Sequence, residues 1–153
     1  MGDHSESIRI EYDADVTSYS EMLEVFWKCH SPFYPSGKQY RSAIYYHNEE
    51  QKKLATATFE AKEKEVSQKI YTAIEKAEKW TDAEGYHQKY YLRGKKKVFK
   101  AAGLSEVEVI TSPLACKLNG FVSNYIARYG SVEGLKKDIL ALNPPEDIKK
   151  LAL

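Results

Sequence analysis

The sequence predicts an α/β domain, with a small mixed sheet and helices packed against it, followed by a helical C-terminal extension. Three observations support this fold class. Short strand-like segments alternate with helix signals up to about residue 94. Beyond residue 94 the chain carries helix signals only, and the change coincides with a basic run at 93–97. We therefore predict a first domain over residues 1–94 and an extension over residues 95–153.

The first two elements are predicted from periodicity and capping. Residues 7–13 alternate apolar and polar side chains, which is typical of a half-buried strand, and 13–15 form a turn. Ser18 and Glu21 have the spacing of a capping box, so a helix begins there. Pro32 disfavours helical backbone before it, so this helix ends by Ser31.

The rest of the first domain continues the alternation. Residues 40–46 and 70–74 are predicted strands, and Asn48 caps a long polar helix over about 49–67 that lies between them. A short helix over about 83–92 follows, with Asp82 as its cap.

The extension is predicted from helix starts. Ser105 and Glu108 form a second capping box, after the Lys95–Lys97 run that we interpret as a solvated linker. Three further helix starts are indicated at Ser112 before Pro113, at Ser131 and at Pro145.

Composition excludes several classes of function. The formal net charge is +1, so bulk attraction to nucleic acid or anionic lipid is not expected. No apolar run approaches the ~20 residues that span a bilayer, and residues 1–13 do not resemble a secretory signal. Cys29 and Cys116 are too few and too far apart for a disulfide framework or a metal site. We expect a soluble, cytoplasmic protein without a metal, a nucleic-acid partner or membrane attachment.

Three segments resemble the motifs of one enzyme family. Residues 3–13, Asp-His-Ser-Glu-Ser-Ile-Arg-Ile-Glu-Tyr-Asp, are similar to its Gly-His-Ala-Glu strand and acidic turn. Phe-Trp-Lys-Cys-His-Ser-Pro at 26–32 and Gln-Tyr-Arg-Ser-Ala-Ile-Tyr at 39–45 form the second match. Ala-Glu-Gly-Tyr-His-Gln-Lys-Tyr at 83–90 is the third. The chain thus resembles the methionine sulfoxide reductase A family. Its extension, especially 118–121, looks like that of a eukaryotic subgroup.

The resemblance implies a fold and a reaction. The fold is an α+β two-layer sandwich, here an incomplete reductase-type domain. The reaction reduces the S-epimer of methionine sulfoxide, free or in peptides, to methionine in the repair of oxidative damage. A thiolate attacks the sulfoxide sulfur while the oxygen is protonated, and the resulting sulfenic acid is resolved by a second thiol or by thioredoxin. No cofactor is expected.

By the same resemblance, two residues of the site can be assigned. Glu6 donates a hydrogen bond or proton to the sulfoxide oxygen, a role that needs a carboxyl pKa raised by an apolar pocket. Tyr40 supplies a neutral phenol that holds the same oxygen. The family's nucleophile lies in a Gly-Cys-Phe-Trp-Gly motif, which these residues do not contain and which should precede Gly2.

Other interpretations stay open from the residues themselves. Without the resemblance, Glu6 is a solvated carboxylate and Tyr40 an aromatic at the edge of the core. The chain could be a catalytically inactive protein that binds sulfoxide or another protein. Cys29 could be a substitute nucleophile and Cys116 a resolving thiol, although a buried, inert position is the default for both. For His30 and His87 we expect structural hydrogen bonds.

Overall fold

The computed structural model describes residues 4–123, 125 and 130–152. The chain forms two compact units, Met1–Trp80 and Thr81–Leu153. The division between the two units lies after Trp80, whereas the sequence predicted that the first domain ends at residue 94. The compact units do not test where the reductase-type domain ends, so that boundary stays a prediction. None of the helices among the described residues is both long and apolar enough to span a bilayer.

Helix α1 (Tyr19–Cys29) of the first unit begins at the predicted capping box. The Glu21 backbone N–H donates to Ser18 Oγ at 3.2 Å, and Glu21 Oε2 accepts from the Ser18 backbone N–H at 2.8 Å. The helix ends at Cys29, and the extended His30 is its C-cap, before Ser31 and Pro32, as expected from the restriction that proline places on the preceding residue. Both ends are therefore determined locally.

The sheet of the first unit contains two described strands, β1 (Ala43–Tyr46) and β2 (Ala73–Lys76). They pair in parallel, with Ala43 opposite Ala73 and Tyr46 opposite Lys76. Helix α2 (Glu49–Glu65) connects them, and Asn48 caps it by accepting from the Gln51 backbone N–H at 2.8 Å. Because the chain returns through a helix, the strands run in one direction. The described sheet is parallel, and the prediction of a mixed sheet is wrong for these residues.

The core of the first unit lies between α1, α2 and β1. Leu23, Ile44 and Ala55 are buried there. Aromatic and aliphatic side chains surround them, namely Tyr19, Phe26, Trp27, Leu54 and Ile74. Burial of this apolar surface is what holds the helices against the short sheet.

The predicted strand over residues 7–13 is wrong. These residues form no strand, and Ile8 and Ile10 are 83% and 56% exposed. An alternating pattern becomes a strand only when a neighbouring strand accepts its hydrogen bonds, and no described segment pairs with it in a ladder. The turn that follows is confirmed, since the Val16 backbone N–H donates to the Asp13 carbonyl at 3.0 Å.

The second unit contains six described helices. They are α3 (Tyr90–Gly94), α4 (Lys96–Ala102), α5 (Glu106–Thr111), α6 (Pro113–Val122), α7 (Val132–Ala141) and α8 (Glu146–Ala152). The predicted starts at Ser105, Ser112, Ser131 and Pro145 are confirmed. The core of this unit consists of the buried residues Leu92, Ala102, Ala115, Leu118, Ile139 and Ile148.

The helix predicted over residues 83–92 begins only at Tyr90. Residues 85–89 form turns instead, and Lys89 has a φ of 52°, in the left-handed region. A residue in that conformation cannot continue a right-handed helix, so Asp82 does not cap one here. A hydrogen bond connects α3 to α6, in which the Leu92 backbone N–H donates to Asn119 Oδ1 at 3.0 Å.

Candidate functional site

Glu6 is attached to the segment that contains Tyr40. Its backbone N–H donates to the Gln39 carbonyl at 2.8 Å, and its Oε1 accepts from Gln39 Nε2 at 3.2 Å. The neighbouring Ser5 hydroxyl donates to the Lys38 carbonyl at 2.8 Å. Residues separated by more than thirty positions are thus joined by three hydrogen bonds.

Tyr40 ends a short 3₁₀ helix, Lys38–Tyr40, which is held by a hydrogen bond from its N–H to the Gly37 carbonyl at 3.1 Å. The Tyr40 side chain is 66% exposed, and Glu6 is exposed as well. The structure therefore brings the two predicted residues to adjoining segments. The described residues do not bury either side chain in the apolar pocket that the resemblance implies.

Arg41, the next residue, was not singled out from the sequence. Its guanidinium forms a two-pronged ion pair with Glu75 on β2 and donates to Tyr45 Oη at 2.8 Å. Hydrogen bonds to Glu75 and then to Tyr45 raise the pKa of Arg41 above its ordinary value, so the group is always charged. Its remaining Nε–H donates to Ser5 Oγ at 3.2 Å. The signal in the sequence was its place inside the Gln-Tyr-Arg-Ser-Ala-Ile-Tyr block.

The two histidines in the matched motifs form the structural hydrogen bonds that were predicted. His30 is partly buried, and its two ring nitrogens contact the Phe26 carbonyl and the Ser42 hydroxyl. His87 is in an exposed turn, where Nδ1 lies 3.2 Å from Glu84 Oε2. This contact contributes to lowering the pKa of Glu84, after the larger effect of the backbone hydrogen bond at Glu84 itself.

Both cysteines are exposed, so the default expectation of buried thiols is wrong. Cys29 is the last residue of α1, and its side chain lies off the face that packs against the core. Cys116 lies on α6 next to the fully buried Ala115, on the side of the helix that faces away from the core. Among the described residues, no group of three or more potential ligands could hold a metal ion.

Comparison with known proteins agrees with the motifs. The model of the family "Peptide methionine sulfoxide reductase" matches residues 1–113. A peptide methionine sulfoxide reductase of Drosophila melanogaster is 41% identical over 141 residues, covering 90% of this chain and 56% of the relative. A relative from Solanum lycopersicum with the same name is 44% identical over 99 residues, covering 60% of the chain and 50% of the relative.

An archaeal protein extends the comparison. A peptide methionine sulfoxide reductase MsrA of Methanococcus maripaludis is 43% identical over 96 residues, covering 59% of the chain and 61% of the relative. The chain spans about half the length of the curated relatives it matches. Since the family model covers well over half of the chain, and the motifs that predicted it lie within the match, this chain belongs to the peptide methionine sulfoxide reductase family.

Proposed function

We propose that this chain takes part in the reduction of methionine S-sulfoxide to methionine and supplies the groups that act on the sulfoxide oxygen. Glu6 serves as the proton donor and Tyr40 as a neutral hydrogen-bond donor to the same oxygen. The observation that carries this proposal is the double attachment of Glu6 to Gln39, the residue next to Tyr40. Two side chains that act on the same sulfoxide oxygen must lie close together in space, and the attachment of Glu6 to Gln39 brings the Glu6 backbone next to that of Tyr40.

The reaction needs a thiolate as well as an acid. The thiolate sulfur attacks the sulfoxide sulfur, the oxygen is protonated, and the S–O bond to methionine breaks as the oxygen passes to the cysteine as a sulfenic acid. A second thiol then displaces water and forms a disulfide, so each turnover oxidises two thiols. We propose thioredoxin or another thiol as the reductant, in a reducing compartment such as the cytoplasm. Two exposed free thiols are compatible with that setting.

We assign the thiolate to a Gly-Cys-Phe-Trp-Gly motif outside these 153 residues. Cys29 is the last residue of α1, and Cys116 is the fourth residue of α6, where its backbone N–H already donates to the Ser112 carbonyl at 3.2 Å. Neither therefore lies at the free backbone N–H groups of a helix N-terminus. The alternative is a protein that binds sulfoxide without reducing it. The exposure of Glu6 and Tyr40 favours this alternative, because the described residues do not form the apolar pocket that the acid role of Glu6 requires.

The test is turnover of S-methionine sulfoxide in a small peptide with dithiothreitol. The chain is compared with a version extended at its N-terminus by a segment that carries Gly-Cys-Phe-Trp-Gly. We expect turnover only in the extended version. There, Glu6→Gln should lower kcat by about 10²- to 10⁴-fold. Tyr40→Phe should lower kcat by about 100-fold. Glu11→Gln, an exposed carboxylate on the same segment, is the matched control.

Other results assign the function differently. Turnover by the 153-residue chain that Cys29→Ser or Cys116→Ser abolishes would overturn the assignment of the thiolate. An extended version that binds the peptide but never reduces it would establish the non-catalytic alternative. Equal rates in the Glu6→Gln and Glu11→Gln variants would remove Glu6 from the mechanism.

A further inference from the structure

We propose that Arg41 is a positioning residue that sets the place of the Glu6 carboxyl through the hydroxyl of Ser5. The inference rests on the proposed function of Glu6 and adds to it the means by which Glu6 is held. It follows from six hydrogen bonds within the first unit, all between described residues.

Arg41 is itself held in a fixed orientation. Its guanidinium is held by both carboxylate oxygens of Glu75 and by Tyr45 Oη, and its side chain is only 26% exposed. Glu75 and Tyr45 are direct partners in the register of β2 and β1. A planar guanidinium with two of its nitrogens engaged cannot rotate without breaking both contacts. Its third nitrogen, Nε, therefore points in a direction that the sheet determines.

Ser5 is in turn held by Arg41. Ser5 Oγ accepts from Arg41 Nε at 3.2 Å and donates its own proton to the Lys38 carbonyl at 2.8 Å. A hydroxyl with one proton that both accepts and donates has a defined orientation. Ser5 precedes Glu6, whose N–H is bound to the Gln39 carbonyl. The two residues are thus attached side by side to the 38–41 segment.

The attachment of Ser5 and Glu6 to the 38–41 segment matters because residues 7–13 form no strand. A segment without ladder hydrogen bonds has its backbone fixed only where individual contacts hold it, and Glu6 lies at the start of that segment. A carboxyl that must donate to one oxygen atom needs a defined position. The Ser5 hydroxyl acts on Glu6 through its position and contacts Arg41 and Lys38 rather than the reacting atoms. We accordingly expect its loss to reduce the rate rather than abolish it.

The experiment first tests the attachment itself, in the 153-residue chain, by hydrogen exchange of the Glu6 backbone amide measured by NMR. Ser5→Ala should accelerate this exchange by about 3- to 10-fold, the value of one hydrogen bond. Arg41→Met should accelerate it at least as much, and Ser5→Thr, which keeps a hydroxyl, should restore the original rate. Arg93→Met is the matched control. Arg93 pairs with both carboxylate oxygens of Glu106 and lies over the ring of Phe99, just as Arg41 pairs with Glu75 and lies over the ring of Tyr45.

Turnover in the extended version then tests the role in the reaction. Ser5→Ala should lower kcat by several-fold with KM unchanged, Ser5→Thr should recover it, and Arg93→Met should not change it. Unchanged Glu6 exchange in both Ser5→Ala and Arg41→Met would overturn the inference, and Ser5→Ala keeps this outcome decisive if Arg41→Met fails to fold. Faster exchange with an unaltered kcat in Ser5→Ala, where Glu6→Gln still lowers kcat, would overturn the positioning role alone. No effect of Glu6→Gln would overturn the proposed function instead.

Discussion

His30 Nε2 lies 2.7 Å from Ser42 Oγ, and this contact defines a directed chain of hydrogen bonds. Nδ1 of the same ring lies 2.6 Å from the Phe26 carbonyl, which can only accept, so Nδ1 is the donor there and Nε2 is the ring nitrogen left to accept. Nε2 then accepts from the Ser42 hydroxyl, and Ser42 Oγ accepts from Thr72 Oγ1 at 2.8 Å. The end of α1 is thereby joined to the residues that precede β1 and β2.

Removing the middle of this chain should destabilise the first unit. Ser42→Ala leaves His30 Nε2 and the Thr72 hydroxyl without their partner in a partly buried place, and Thr72 is only 8% exposed. We expect the free energy of unfolding to fall by about 1–3 kcal/mol, measured by urea titration. Ser7→Ala removes an exposed hydroxyl bond and should cost less than about 0.5 kcal/mol. Equal costs for the two variants would contradict the directed chain.

Neighbouring residues of α7 should respond very differently to truncation. Ile139 is fully buried in the core of the second unit, whereas Leu140 is 46% exposed. Ile139→Ala should lower the free energy of unfolding by about 2–5 kcal/mol, because it removes buried methyl groups and leaves a cavity. Leu140→Ala should lower it by roughly 0.5 kcal/mol. Thermal unfolding followed by circular dichroism compares them, and a larger effect at Leu140 would mean that the helix presents its other face to the core.

The two capping boxes should make stability depend on pH on the acid side. Hydrogen bonds from the backbone and hydroxyl of Ser18 lower the pKa of Glu21, and those from the hydroxyl and backbone of Ser105 lower the pKa of Glu108. A carboxyl whose pKa is lower in the folded state stabilises the fold above its unfolded pKa. That stabilisation is lost as the pH falls through the folded pKa.

Urea midpoints measured between about pH 3 and pH 6 test this dependence. Glu21→Gln and Glu108→Gln retain a hydrogen-bond acceptor but do not titrate, so each variant should show a shallower loss of stability in acid. Ser18→Ala and Ser105→Ala should also flatten the curve, because they remove the cause of the lowered pKa. If the urea midpoints of these variants fell with decreasing pH as steeply as those of the unsubstituted chain, Glu21 and Glu108 would not be the source of the acid dependence.

Both thiols should react in the folded chain. Cys29 and Cys116 are exposed, so a maleimide should label both without denaturant, and each single Cys→Ser variant should take up one equivalent. Mass spectrometry counts the additions. Labelling of either cysteine only after denaturation would show that its side chain is buried, contrary to the structure.

The helix starts were predictable because each depends on residues a few positions apart. Ser18 with Glu21, Asn48 with Gln51, and Ser105 with Glu108 satisfy backbone groups within one turn. The helix predicted at 83–92 was wrong for a related reason. Its apparent start gave no information on Lys89, whose left-handed backbone delays the helix to Tyr90.

For the site, the motifs identified Glu6 and Tyr40 but not what holds them. Arg41 and Ser5 are 36 positions apart, and nothing in either local pattern indicates that they meet. The same holds for Glu75, which contacts Arg41 because β2 pairs with β1. Predicting such contacts requires the register of the sheet, which the sequence pattern alone does not specify.

By itself, the sequence determined the family, the helix starts and the succession of an α/β part and a helical part. These depend on motifs and on hydrogen bonds that close within a few residues. Only the tertiary structure decided the parallel register of β1 and β2, the exposure of both cysteines and the unpaired state of residues 7–13. Strand pairing and burial depend on distant segments. An alternating or amphipathic pattern shows that a segment can pair or be buried, while the neighbours it meets in the fold determine whether it does.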